Sequence, residues 1–152
     1  IGNESRGSDI VNLAVKLNEQ NLSFIYSILE GHSIDGWKLI SGTWYFYKNS
    51  TKQTGWQSIN GKWYYLETSG SMSTGWKYVR GRWYYLDKTN GDMKTGWYKD
   101  GSTWYYLNAS NGDMKTGWFQ VNSKWYYAYS SGALAVSTTV DGYSVNYNGE
   151  WV

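Results

Sequence analysis

Ten of the eleven tryptophans fall into five pairs, each pair seven residues apart: Trp37 and Trp44, Trp56 and Trp63, Trp76 and Trp83, Trp97 and Trp104, Trp118 and Trp125. Each first Trp follows a Gly, and each second Trp precedes a Tyr. Two indoles held at a fixed separation can form two walls of a cup, with a ring from the next repeat as the third. Their electron-rich faces attract a cation, above all a poorly hydrated methylated ammonium, at about 0.5–2 kcal/mol per contact. A quaternary ammonium donates no N–H hydrogen bond, so a cup without carboxylates costs it little. The same faces can stack on the C–H surface of a sugar ring, and an aromatic ladder for a glucan is the competing chemistry.

Other chemistries fail on inventory. His32 is the only histidine, and it lies beside Ser33 and Asp35. A nucleophilic triad needs its members from converging elements, not from one loop. One His without Cys is also a poor metal site. Asp87 with Asp92, and Glu19 with Glu30, are spread over turns and solvated faces, which suits no general acid–base pair. The reading is therefore no catalytic residue, no metal and no cofactor. A net charge of +2 is too small to argue for nucleic acid. The absence of Cys removes disulfide and thiolate chemistry. No run is long enough for a membrane-spanning helix, and no charged-then-apolar leader opens the sequence. Sixteen Tyr and eleven Trp against three Phe mean that most rings carry a polar edge, as on half-exposed binding surfaces.

The elements that position these rings follow from the spacing. First Trp residues recur after 19, 20, 21 and 21 residues, the period of an array of small supersecondary units. Within a unit, Trp76 to Val79 reads as a strand, Arg80-Gly81 as a tight turn, and Arg82 to Asp87 as the return strand. Asn60-Gly61 is a strong two-residue turn signal with φ > 0 at both centres. In "WYKDGSTW" the Asp-Gly falls one place earlier, which predicts a different turn on the same frame. "TNGDM" at 89–93 leads from one hairpin to the next, its Asn-Gly another φ > 0 signal. Lone hairpins are marginal in water, so the units must stack and share interfaces. Strand alternation puts Trp83 and Tyr85 on one face and Tyr84 and Leu86 on the other. Packing of hairpin on hairpin claims some of the rings, because Leu66, Leu86 and Leu107 supply only one aliphatic residue per unit.

The ends differ. Residues 138–152 alternate around Asp141-Gly142 and Asn148-Gly149 and read as a capping hairpin. Residues 1–34 read as helical: Ser8-Asp9 as an N-cap, then Ile10, Leu13, Ala14 and Leu17 at helix spacing, with a second helix favoured through Leu22, Ile25, Ile28 and Leu29, where Phe24, Ile25, Tyr26 and Ile28 also permit a strand. The expected organisation is an accessory segment over 1–34 and a repeat module over 35–152 of five hairpins plus the cap.

The phrase "TGWxxxxGxWYYLxxxGxMxTGW" resembles the choline-binding repeat of pneumococcal-type surface proteins, lytic enzymes and phage lysins, and the ending "GALAVSTTVDGYSVNYNGEWV" resembles the tail of several such proteins. The resemblance implies an all-β solenoid of stacked hairpins in a left-handed superhelix. It implies choline, or the phosphocholine of teichoic and lipoteichoic acids, between consecutive hairpins. The family cage is two Trp of one repeat, a Tyr of the next and often a Met. Carried over, this gives Trp56, Trp63, Met72 and Tyr85; Trp76, Trp83, Met93 and Tyr106; and Trp97, Trp104, Met114 and Tyr127. The first unit offers Trp37, Trp44 and Tyr65, with Lys52 at the Met position. The fifth offers Trp118, Trp125 and Leu134, with Tyr143, Tyr147 or Trp151 as its third ring. The first Tyr of each pair (Tyr64, Tyr84, Tyr105, Tyr126) is the alternative to the second.

The function this implies is non-catalytic anchoring of a secreted, surface-associated protein to a Gram-positive wall. Alternatives are the targeting module of a wall hydrolase or a glucan-binding module. For residues 1–34 the readings are the end of a larger protein, an adhesin-like head for a host protein, or a self-association element.

Overall fold

The computed structural model describes residues 19–152. The helix expected from Ser8 to Leu17 lies outside them. The second expected helix is present as α1 (Glu19–Leu29), and it packs against β1. Tyr26, Ile28 and Leu29 on it are exposed.

The strands after α1 form a series of hairpins. The strands are β1 (Gly36–Ile40), β2 (Thr43–Lys48), β3 (Thr51–Lys52), β4 (Gly55–Ile59), β5 (Lys62–Leu66), β6 (Gly75–Val79), β7 (Arg82–Leu86), β8 (Gly96–Asp100), β9 (Thr103–Leu107), β10 (Gly117–Val121), β11 (Lys124–Ala128), β12 (Thr138–Val140) and β13 (Tyr143–Val145). They pair antiparallel in sequence order, with β3 added to the first hairpin. The described residues fall into two compact units, residues 19–73 with α1 and β1 to β5, and residues 74–152 with β6 to β13.

Turn chemistry sets the register. Asn60 and Gly61 have φ of 51° and 78°, and Arg80 and Gly81 of 50° and 82°, the mirror-image turn that matches strand twist. In β8–β9 the turn is Gly101-Ser102 between the paired Asp100 and Thr103, with φ of +62° at Gly101 alone. The shifted Asp-Gly thus gives a different turn on the same two-residue loop. In the "TNGDM" segment Gly91, not Asn90, has positive φ. There Asp87 takes the amides of Thr89 and Asn90 on Oδ1, which fixes the bend and, with Lys94 beside it, holds its carboxyl below the usual range.

The registers place Trp76 opposite Tyr85 and Tyr78 opposite Trp83, so Trp76, Tyr78, Trp83 and Tyr85 share a face. In the second unit this face meets the opposite face of the following hairpin. Tyr85 stacks on Tyr98 at 4.0 Å and Tyr106 on Phe119 at 5.3 Å. Leu86, Leu107, Ala128 and Val145 occupy one register position and are buried. Leu66 holds that position in the first unit and is also buried.

After each hairpin the chain returns along its second strand. Single bridges join Leu86 to Met93, Leu107 to Met114, Ala128 to Leu134 and Val145 to Trp151. The returning amide then reaches back one hairpin: Met114 donates to the Trp83 carbonyl, Leu134 to Trp104, and Trp151 to Trp125, at 2.8–2.9 Å. Met72 does the same to Trp44 in the first unit, at 2.9 Å.

Candidate functional site: aromatic cups

Among the described residues, one aromatic cup forms within the first unit and three within the second. The geometry repeats. The first Trp of a hairpin meets the first Tyr of the following hairpin edge to face: Trp37 with Tyr64, Trp76 with Tyr105, and Trp97 with Tyr126, each at 4.9 Å between ring centroids. The two Trp of a hairpin stand nearly perpendicular, Trp37 to Trp44 at 88° and Trp97 to Trp104 at 89°, both 6.4 Å apart. The fourth position is set by the returning amide: Met72, Met114, Leu134 or Trp151.

Three cups enclose measurable space. Trp76, Trp83, Tyr105, Met114 and Ser131 line about 260 Å³. Trp97, Trp104, Tyr126 and Leu134 line about 310 Å³, together with Val136, Tyr147, Asn148 and Glu150. Trp118, Trp125, Tyr143 and Trp151 line about 320 Å³. In this last cup Tyr143 lies 5.8 Å from both Trp118 and Trp151, edge to face. These spaces are at the small end for ligand pockets and suit a compact head group. The second Trp of each hairpin is the open wall: Trp83, Trp104 and Trp125 are all about 40% exposed.

Two expectations are corrected by these positions. The second Tyr is not the third wall. Tyr65, Tyr85, Tyr106 and Tyr127 each sit against the first Trp of their own hairpin, at 4.9–5.2 Å. The physical reason is the pleat. The second Tyr shares the face of its own Trp pair, so a ring that closes the preceding cup must come from the other face, where the first Tyr stands. Burial, first of all, and then the hydrogen bond with Tyr98 raise the Tyr85 phenol above its ordinary range.

The fourth wall is also shifted by one repeat. Met72 is tied to Trp44 rather than grouped with Trp56 and Trp63, Met114 to Trp83 rather than Trp97 and Trp104, and Leu134 to Trp104 rather than Trp118 and Trp125. Met93 packs its thioether over Gly112 instead of lining the cup of Trp76 and Trp83. Lys52 does not enter the cup of Trp37 and Trp44. Its ammonium lies 4.2 Å from the Tyr45 ring, and its stem covers Gly70. Trp56 and Trp63 come from β4 and β5, with Trp56 against Tyr65 and Trp63 exposed. Of the three candidate rings for the last cup, Tyr143 and Trp151 line it, while Tyr147 lines the preceding one.

Polar groups at the rims went unnoticed in the sequence. Trp76 donates its indole N–H to Asp100 Oδ2 at 3.0 Å, which fixes that ring. Asp100 holds the strand-end position of Val79 and Val121 in the neighbouring hairpins, and that break in an apolar column was the available signal. Arg82 pairs with Asp113 at 3.1 Å and Lys124 with Glu150 at 3.2 Å. In both pairs the residue before the second Trp meets the residue before the fourth wall. Lys99 Nζ stands 5.7 Å from the Trp104 ring centroid.

The loop with the lone histidine builds no triad. Ser33 donates to Asp35 at 2.6 Å, and His32 lies 3.4 Å from Glu30. The Ser33 hydroxyl and the Asn49 amide hold the Asp35 carboxyl below its ordinary range. No group of three or more His, Cys, Asp or Glu among the described residues could hold a metal, and no helix among them is long and apolar enough to cross a membrane.

Family models match the array over residues 35–50, 53–95, 95–114 and 116–134. The choline-binding repeat matches residues 53–95, and the cell wall binding repeat matches residues 35–50, 95–114 and 116–134. The choline-binding domain of Spr1274 in Streptococcus pneumoniae is 58% identical, over 53% of this chain and 95% of its own, with a TM-score of 0.50. The chain belongs to the choline-binding repeat family. As a choline-binding repeat module it is also similar to CbpF, whose crystal structure is a complex with soaked ipratropium, at 63% identity over 81% of this chain and a TM-score of 0.77. The modular autolysin LytC from Streptococcus pneumoniae is 28% identical over 76% of this chain, with a TM-score of 0.61. The module spans 40% of CbpF and 28% of LytC. No curated protein matches it.

Proposed function

We propose that this module anchors its protein to the cell surface by taking the trimethylammonium heads of choline-substituted wall polymers into its aromatic cups, without catalysing a reaction. The observation that carries this reading is the recurrence of one geometry, first Trp to following Tyr at 4.9 Å in three separate cups. Cation–π contacts of about 0.5–2 kcal/mol each, shared among three or four walls, give a single cup roughly millimolar affinity, about −4 kcal/mol. Several cups on one chain make later contacts intramolecular and can raise avidity by about 10²–10⁴. Teichoic or lipoteichoic phosphocholine, displayed repeatedly, is the partner this arithmetic favours. Residues 1–34 serve as an accessory segment in this reading.

Calorimetry of the chain with choline chloride and with dextran tests the reading. Heat with choline and none with dextran is expected. Heat with dextran alone would overturn it in favour of a glucan module. Retention on choline-bearing walls, released by free choline and little affected by sodium chloride, is the matching functional result. Hydrolysis of those walls by the purified chain would overturn the non-catalytic part.

A further inference from the structure

The cup of Trp97 and Trp104 differs from the others in what stands at its mouth. The last repeat sends a loop over it, and Asn146 shapes that loop. Its Oδ1 accepts the amides of Asn148 and Glu150, and its backbone bonds with Glu150 and Gly149 close the turn. Gly149 is pressed under Leu134, with no room for a side chain. The turn leaves Tyr147 78% exposed beside the cup, with Asn148 and Glu150 in the same lining. Glu150 is held in place by Lys124 at 3.2 Å. One repeat earlier, the equivalent loop brings only Ser131 to the cup of Trp76 and Trp83, and Ser130 stands where Tyr147 would.

An open phenol ring flanked by a primary amide and a carboxylate is carbohydrate-binding chemistry. The ring covers a C–H face, while the amide and carboxylate satisfy hydroxyls from both donor and acceptor sides. A trimethylammonium head enters a cup first, because it is the end that the rings desolvate. Its tether and whatever the tether carries must then emerge at the mouth.

We propose that the Leu134 cup with Tyr147, Asn148 and Glu150 is a composite site for a choline-bearing sugar, in which the cup takes the head group and the shelf takes the sugar ring. This rests on the choline reading above and assigns one of the cups a preference that the others lack.

The test uses the whole chain, with the indole N–H resonances of Trp104 and Trp83 reporting the two cups. The probes are choline, phosphocholine, gluco- and galacto-configured phosphocholine glycosides, and the same glycosides without phosphocholine. At Trp104, at least one phosphocholine glycoside should bind about 5- to 10-fold tighter than phosphocholine, the gain from one ring contact and one or two hydrogen bonds. At Trp83 the ratio should be near one. Tyr147→Ala with Asn148→Ala alters only exposed side chains and should bring the Trp104 ratio down to that of Trp83. The proposal is overturned if no glycoside gains over phosphocholine at Trp104, if the double variant keeps the gain, or if the bare glycosides bind as tightly as the substituted ones. Failure of choline itself to shift either resonance would instead overturn the reading of the cups as choline sites, which separates the two outcomes.

Discussion

The Met114 cup and the Leu134 cup are consecutive in the same unit and share a frame. Two Trp on adjacent strands meet a Tyr from the next hairpin at the same 4.9 Å. Their rims have little in common. The Met114 cup has an indole tied to Asp100, an Arg82–Asp113 pair and a thioether wall. The Leu134 cup has an aliphatic wall, a lysine over Trp104 and the Tyr147 shelf. Thr103 and Ala133 stand where the other cup has its ion pair. The difference teaches that the shared strand register sets the aromatic walls alike in both cups, whereas the residue types at the strand ends and in the connecting loops make the two rims differ.

The largest expected effect separates frame from core. Tyr85→Ala removes a ring that is 2% exposed and stacked on Tyr98. It should cost about 3–5 kcal/mol of unfolding free energy, read by urea denaturation. Tyr105→Ala should cost much less stability. It should weaken choline at the Trp83 resonance by about 10-fold, the loss of one good cation–π wall, and spare the Trp104 resonance. If Tyr85→Ala leaves stability intact while Tyr105→Ala leaves binding intact, the division between frame and core is wrong.

Next come the glycines beneath the fourth walls. Gly132 has φ of +86° and lies under the Met114 thioether. Gly132→Ala should cost about 1–3 kcal/mol through backbone strain and weaken choline in the Met114 cup. Gly149→Ala should act instead on the Leu134 cup. Crossed effects, read from the same two resonances, would break the pairing of each glycine with its own wall.

How much of this was legible beforehand can be read from particular residues. Trp76 and Trp83, seven apart around a two-residue turn, declared a hairpin with both rings on one face. Leu86 and Leu107 stood out as the sparse aliphatic column. Alternation also held the answer to the Tyr question, but only once it is known that the Trp face of one hairpin meets the opposite face of the next. The Met assignment was out of reach for a different reason. Met114 closes on Trp83 through a backbone hydrogen bond, its amide donating to the Trp83 carbonyl past the nearest hairpin, and no local preference records a partner that far away. Asp100 was visible only as a break in a pattern, and Tyr147, a candidate ring for the last cup, lines the preceding one instead.

Smaller effects sharpen the comparison of rims. Leu134→Met should raise choline affinity at Trp104 about 2- to 5-fold, and Met114→Leu should lower it at Trp83 by as much, from the sulfur–aromatic contribution of about 0.3–1.5 kcal/mol. An unchanged titration in both would make the fourth wall a spacer only. Lys99→Ala should raise choline affinity at Trp104 by about 2-fold, since a weak, exposed cation–π competitor is removed. A fall would mean that the lysine helps to hold the ligand.

The returning amides have a consequence for how such a chain can change over generations. Trp76 to Trp97 and Trp97 to Trp118 are both 21 residues, and each junction is closed by the same kind of returning-amide hydrogen bond. Excising one period from the second unit, for example residues 96–116, would bring Trp118 to the place of Trp97 and let Leu134 take the Trp83 carbonyl in place of Met114. The array would lose one cup and keep its joints. Unequal crossing-over between repeats would therefore shorten or lengthen the grip by whole sites, and reach could be tuned by recombination while the backbone joints stay the same.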